Sequence, residues 1–267
     1  MNTAINISQI TSLVHQTSSI IMSETDRHDI TVKGLADFVT KVDTGVQNFL
    51  QDALQKEYPE IQFMGEEEHL HQIDPSRPAW ILDPIDGTTN LIYDYRQSAV
   101  SLGYYENGQI MAAVIYNPFS KETFTAMRGE GAFLNGRPIH TSSKTTLQDS
   151  LISIGTSPYN KEMAPVNFRI FQDIFMRSLD IRRSGSAALD LAYVACGRID
   201  GYFERNLKPW DFAAGALLVE EAGGCAATFR SARIDFLKNQ DILATNGQIQ
   251  KELRGRILHF SDSGNFS

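Results

Sequence analysis

A chain of 267 residues with 42% hydrophobic content is long enough for one large domain or two modest ones around a substantial core. Its net charge of -8, from 24 Lys+Arg against 32 Asp+Glu, gives no general attraction to nucleic acid or an anionic membrane, so neither direct nucleic-acid binding nor membrane association is expected. Two cysteines in small apolar contexts, Cys196 in "YVACGR" and Cys225 in "AGGCAA", read as core packing; with no secretory pattern in "MNTAINISQITSLVHQ" and no bilayer-length apolar run, a reduced, cytoplasmic protein is expected.

Residues 4–24 carry Ile7, Ile10, Leu13, Val14, Ile20 and Ile21 at helical spacing and predict one amphipathic helix. Residues 42–57 predict a second, with Val46, Phe49, Leu50 and Leu54 on one face. From about 61 to 140, short apolar or alternating runs predict an antiparallel sheet beside the two helices, and Asn107-Gly108 in "ENGQ" predicts a hairpin. After the polar stretch 142–148, strands ("LISIG", "DIRR", "DGYFE", "CAATF", "DILAT") alternate with helices near 165–177, 186–196 and 210–222 and at the terminus. The expected division is therefore a helix pair plus antiparallel sheet over 1–145, and an α/β half over 146–267.

Residues 80–90, "WILDPIDGTTN", end an apolar run in two aspartates, although an unpaired buried carboxylate is costly. Pro84 biases Asp83 toward an extended backbone at the strand exit, and Gly87 permits the tight bend after Asp86. Thr88, Thr89 and Asn90 then open a helical turn whose amides favour an anion. Two carboxylates beside a helix start suit a phosphate bridged through a hard divalent cation, magnesium or manganese rather than zinc. Taken alone, the stretch reads as an acidic turn and an ordinary N-cap.

Further acidic stations change that reading. "IQFMGEEEH" ends another apolar run in Glu66, Glu67 and Glu68. "LKPWDFAAGALLVEEAGG" starts a helix at Pro209 with Asp211 in its first turn, and "DGYFER" sets Tyr202 and Glu204 on one strand face. "KGLADFVTKVD" supplies Lys33, Asp37 and Asp43 before and within a helix start. Each alone has a bland explanation as a cap or solvated loop.

Together, "GEE" at 65–67, "WILDPIDGTTN" at 80–90 and "PWDFAAGALLVEEAGG" at 209–224 resemble the inositol monophosphatase family of magnesium-dependent, lithium-sensitive phosphatases, over about residues 33–246. "DIRRSGSAALDLAYVACGRIDGYFE" is most similar to the bacterial inositol-1-monophosphatases. The resemblance implies an αβαβα layered sandwich of the inositol monophosphatase and fructose-1,6-bisphosphatase type, a homodimer, and hydrolysis of inositol 1-phosphate by water activated at two or three metals. It puts Glu66, Asp83, the carbonyl of Ile85, Asp86 and Asp211 on metal-ligand positions, four of the five in the first half. It puts Thr88, with Glu66, on the residues that orient the attacking water, and Asp43 on the partner of Thr88. Gly87, Thr88 and Thr89 fall on phosphate-holding positions, and Ser186, Ala187, Glu204 and Arg183 on the substrate side. Leu91, where the family more often has Phe, and "YDYRQ" at 93–97 depart from the pattern, and Glu68 has no role in it.

The alternatives keep the metal site and change the substrate, or change the class. A 3′-phosphoadenosine nucleotide is disfavoured because "DPIDGT" continues as Thr-Asn rather than with Lys or Arg-Glu. Fructose 1,6-bisphosphate stays open because Arg182 and Arg183 offer cations to a second phosphate. A regulatory partner of the transcription machinery is the non-enzymatic alternative. His69 and His71 read as a polar loop, and there is no GxxxxGK, HExxH or nucleophile-elbow pattern.

Overall fold

The structure, a computed structural model, describes residues 5–23, 29–34, 37–67 and 72–262. Glu68, His69 and His71 lie outside the described residues, as do the side chains of Lys33 and Asp37. The single N-terminal helix expected over 4–24 is instead two, α1 (Ile7–Gln16) and α2 (Ser18–Ile21). They part at Thr17, whose buried hydroxyl donates to the Val14 carbonyl at 2.6 Å. Such back-bonding bends helices. An antiparallel ribbon that the sequence pattern does not announce, β1 (Ile30–Gly34) with β2 (Asp37–Thr40), leads into α3 (Lys41–Glu57).

Seven strands form the first sheet, in chain order: β3 (Gln62–Gly65), β4 (Ala79–Asp86), β5 (Ala99–Glu106), β6 (Gln109–Asn117), β7 (Glu122–Met127), β8 (Gly131–Leu134) and β9 (Arg137–Ile139). The β5–β6 turn is Asn107-Gly108, with left-handed φ of 53° and 81°, as its sequence predicts. The sheet is not wholly antiparallel, because β3 runs parallel to β4. Both strands can thus end at one edge of the sheet, bringing Glu66 close to Asp83. The short helix α4 (Thr88–Ile92) follows β4 directly.

The second sheet takes the order β11-β10-β12-β14-β13, built from β10 (Leu151–Ile154), β11 (Asp180–Arg182), β12 (Gly201–Leu207), β13 (Cys225–Thr228) and β14 (Gln240–Thr245). Its helices are α5 (Ala164–Phe175), α6 (Ala187–Ala195), α7 (Pro209–Glu221) and α8 (Gln250–Asp262).

Side-chain alternation along the strands sets the layers. On β4, Trp80 and Leu82 join Ile10, Val14, Val46 and Leu50 of α1 and α3, while Ala79 and Ile81 face the other way, into a core with Leu189, Leu191, Phe212 and Leu217. That second core continues through Tyr202, Ile242 and Ala244 of the smaller sheet. Beyond it, Phe203 and Leu243 pack with Ile170, Phe171, Leu253 and Ile257 of α5 and α8. The result is the αβαβα sandwich expected. Held between two sheets, α7 is apolar round its circumference, with only Asp211, Glu220 and Glu221 not fully buried.

Candidate active site

Strand β4 does not stop at Asp83. It runs through Asp86, with its register to β5 slipping between the two aspartates, so the chain bends where the acids leave it. Pro84 cannot donate a ladder hydrogen bond, which favours the slip. Asp83 and Asp86 are 2% and 9% exposed, and the Ile85 amide donates to Asp83 Oδ1 at 3.0 Å. Gly87 (φ 93°) then caps α4.

The Thr88 hydroxyl lies 2.8 Å from Asp43 Oδ1 and 3.1 Å from the Ile85 carbonyl. Asp43 stands in the first turn of α3, and its Oδ2 accepts the Thr40 amide at 2.8 Å and the Thr40 hydroxyl. It therefore serves as helix cap and as partner of Thr88 at once. Burial pushes its pKa up to about 6 against these three hydrogen bonds.

The opposite wall comes from the second half of the chain. Ser186 caps α6, and its hydroxyl and the Ala188 amide both donate to Asp86 Oδ2 at 2.6 Å. Ser186, which the resemblance puts on the substrate side, thus starts α6 and gives its hydroxyl hydrogen bond to Asp86. Asp211 caps α7 by accepting the Lys208 amide at 2.7 Å. On β12, Glu204 takes the Tyr202 hydroxyl on Oε2 at 2.7 Å and the Ser157 amide on Oε1 at 2.8 Å.

Gly155 makes room for that carboxylate: a Cβ there would stand 1.9 Å from Glu204 Cδ. Gly155→Ala is therefore expected to displace Glu204 and to impair turnover of a hydroxylated substrate at least as much as Glu204→Gln. Steady-state kinetics of the two variants on the same phosphate ester checks this, and a wild-type Gly155→Ala would refute the packing argument.

These side chains line two joined chambers. One, of about 170 Å³, is bounded by Glu66, Asp83, Ile85, Asp86, Gly87, Thr88, Thr89, Arg183 and Asp211. The other, of about 60 Å³, adds Ser186, Ala187, Glu204 and Asp190. Asp86, Pro158, Tyr159, Arg183, Gly185 and Asp211 border both. Every site residue expected from the sequence is on these walls except Asp43, which acts through Thr88. Arg182 is not: it is ion-paired with Asp180 and lines neither chamber, so it offers no cation there to a second phosphate.

Burial, reinforced by Glu66, Asp86, Asp211 and Asp43, holds the Asp83 pKa well above the ordinary carboxyl range. Burial and then Asp86 do the same to Asp211, and burial lifts Asp86 to about 6 despite the bonds from Ser186 and Ala188. Carboxylates that raise one another's pKa across one chamber form an all-oxygen donor set suited to a hard divalent cation. Among the described residues no three of them close into a ready-made cage. Magnesium usually retains water and substrate oxygens rather than filling its shell from protein, so an open set fits it.

The sequence pattern misses Thr40, Ser157, Pro158 and Tyr159, and the contacts of Asn90. Asn90 donates to the Gln97 and Ser184 carbonyls at 2.6 and 3.0 Å, tying α4 to the turn before α6. The only available signal was its place in "DGTTN".

The profile of the Inositol monophosphatase family matches residues 6–263. The Nus factor SuhB of Escherichia coli (strain K12) is 40% identical over 228 residues, 85% of each chain. Among solved structures, the Thermotoga maritima IMPase superposes with a TM-score of 0.86 at 31% identity, over 96% of this chain and 97% of that one. Inositol monophosphate bound SaIMPase-II, a Staphylococcus aureus protein, superposes with a TM-score of 0.83 at 27% identity, over 97% and 96%.

Proposed function

This chain belongs to the inositol monophosphatase family, which makes it a metal-dependent phosphatase, and on that premise we propose that it hydrolyses inositol 1-phosphate to inositol and phosphate. The observation that carries the substrate choice is Glu204, a partly exposed carboxylate on the wall of the smaller chamber, its pKa raised chiefly by desolvation. Tyr202 and Ser157 fix it, and its remaining lone pairs accept hydrogen bonds from ring hydroxyls. The inositol monophosphate in the staphylococcal relative supports the same substrate class.

Glu66, Asp83, the Ile85 carbonyl, Asp86 and Asp211 are the residues that would hold magnesium, with manganese as a substitute. Bound there, the ions supply Lewis-acid stabilisation of phosphate and leaving-group charge and lower the pKa of water. The chain's own groups do the rest. Thr88 gives its single hydroxyl proton to Asp43, so its oxygen accepts a hydrogen bond from the attacking water. Glu66 provides a second acceptor, and together they aim the water for in-line attack. The amides of Gly87–Thr89 and the Arg183 guanidinium hold phosphate oxygens.

Glu204→Gln is expected to lower kcat/KM on inositol 1-phosphate by roughly 10- to 150-fold, the 1.5–3 kcal/mol of one charge-assisted hydrogen bond. A simple aryl phosphate, lacking ring hydroxyls, should be nearly indifferent to that change, while Asp211→Asn should damage both substrates alike. Kinetics of the two variants on both esters tests the assignment. Equal losses for Glu204→Gln would remove the polyol reading.

The chain is further proposed to form a homodimer through α5 and the residues just after it. Phe168 and Phe175 on the helix, with Met176 and Leu179 just after it, are 51–74% exposed and flank the core stripe Asn167, Ile170, Phe171 and Ile174, the Phe168 ring standing edge-on to Phe171. An apolar stripe of this size marks an interaction surface. Phe175→Lys with Met176→Glu should give a folded monomer in sedimentation velocity, and an unchanged dimer would move the interface elsewhere.

A second reading comes from the name Nus factor carried by the E. coli relative: this chain would also act as a protein partner in transcription, without contacting nucleic acid itself. Asp83→Asn separates the two. A biological role that survives loss of phosphatase activity belongs to the binding function.

A further inference from the structure

Under the turn formed by residues 183–187 lies a carboxyl group that the proposed chemistry does not use. Asp190, on α6, is 4% exposed and lines the smaller chamber. Its Oδ1 lies 2.8 Å from Ser153 Oγ, and its Oδ2 lies 2.8 Å from Ser184 Oγ. Each hydroxyl has another acceptor beside it: the Arg182 carbonyl at 3.3 Å from Ser153 Oγ, and the Ser186 carbonyl at 3.1 Å from Ser184 Oγ. Ser184 Oγ also accepts the Ser186 amide at 3.0 Å.

A serine has one proton to donate. With Asp190 ionised, Ser184 faces two acceptors and serves only one, leaving an oxygen–oxygen contact with no proton in it. With the proton on Asp190 Oδ2, all three contacts of Ser184 pair a donor with an acceptor, and only the long 3.3 Å approach of Ser153 Oγ to the Arg182 carbonyl is left without a proton. Asp190 gives to Ser184, Ser184 gives to the Ser186 carbonyl, and Ser153 gives to Asp190 Oδ1. The charged groups facing Asp190 from other elements, Glu204 on β12 and Asp86 at the end of β4, are both acidic, and Tyr202 and Tyr193 are its neutral neighbours.

We propose that Asp190 is a positioning residue that works as a neutral acid, donating a hydrogen bond to Ser184 and thereby fixing the turn that presents Arg183, Ser186 and Ala187 to the cleft. Burial agrees with this by pushing its pKa up to about 8. Asn90 grips the same residue from the other side, through the Ser184 carbonyl. Ser184 is thus held by both backbone and side chain, and the Ser186 hydroxyl that reaches Asp86 is carried on it.

Asparagine distinguishes this role from that of an ionised acceptor, because its amide can donate to Ser184 while its carbonyl accepts from Ser153. Asp190→Asn should keep KM for a phosphate monoester within about threefold of wild type. Asp190→Ala should raise KM about tenfold, with kcat changed less, as expected for losing one orienting hydrogen bond. If Asp190→Ala does not fold, Ser184→Ala replaces it, with the same expected rise in KM.

The second measurement is independent of the phosphatase reading on which the kinetic comparison rests. A difference infrared spectrum of wild type against Asp190→Asn, in magnesium at neutral pH, should contain the carbonyl stretch of a protonated carboxyl. An Asp190→Asn protein as impaired as Asp190→Ala, or a difference spectrum showing only a carboxylate, overturns the proposal.

Discussion

Asp83→Asn should abolish phosphatase activity by at least ~10³-fold while making the metal-free protein more stable. The activity loss follows from removing one of the carboxylates that would hold magnesium, worth several kcal/mol of charge stabilisation at about 1.4 kcal/mol per tenfold. The stability gain follows from its surroundings: a buried carboxyl facing Glu66, Asp86, Asp211 and Asp43 is repelled by all of them. Chelation should likewise remove activity, and magnesium should restore it.

The pH dependence has a defined sign. A carboxyl whose folded pKa is raised, such as Asp86 from 3.8 to about 6, adds stability that is present below the unfolded value and lost as pH rises through the folded one. Metal-free wild type should therefore melt lower at about pH 8 than at about pH 5, and magnesium should shrink that difference by binding the folded form. At about 2–4 °C per kcal/mol for a chain near this size, calorimetry resolves the effect. Full activity in a metal-stripped sample, or an Asp83→Asn protein less stable than metal-free wild type, would contradict the cluster's role.

Thr88→Ala and Asp43→Asn should each lower kcat by about 10²-fold or more, the lower range for groups that manage a proton in the transition state, and raise KM less. Their 2.8 Å contact makes them one device. Once Thr88 is gone, Asp43 has no hydroxyl to orient, so the double variant should be little worse than the poorer single one. Asp43→Asn has a second cost, since its carboxylate also caps α3 through Thr40. Thr40→Ala, which disturbs the cap but leaves Thr88 paired, provides the control. Additive losses in the double variant would separate the two residues.

The sequence disclosed the acids better than it disclosed what surrounds them. Asp83, Asp86, Glu66 and Asp211 stand at the ends of apolar runs or the starts of helices, where local pattern and physical cost coincide, and all four meet at one chamber. Glu204 was legible because strand alternation puts it beside Tyr202. Less legible were contacts set by packing between distant elements. Nothing local to Ser186 says that its hydroxyl turns to Asp86, 100 residues earlier. The break at Thr17 was hidden because apolar spacing continues across it, and the parallel β3–β4 pairing because alternation carries no direction. Asp190 takes no role from any sequence motif, and only the two serines that converge on it give it a meaning.

The helix layer shared by the two sheets has a consequence for how the protein comes off the ribosome. Asp86 is held by groups 100 and 102 residues further along the chain, and the apolar face of the first sheet is covered by α6 and α7, which are made later. A nascent chain that ends near residue 145 thus carries four of its five proposed ligands, Asp211 excepted, and a wide unprotected sheet face. Contacts of such long sequence separation form late and leave apolar surface open meanwhile. Metal capture and escape from aggregation therefore wait on the same event, the arrival of α7, so that an N-terminal fragment is expected to be a chaperone client and not a weak enzyme.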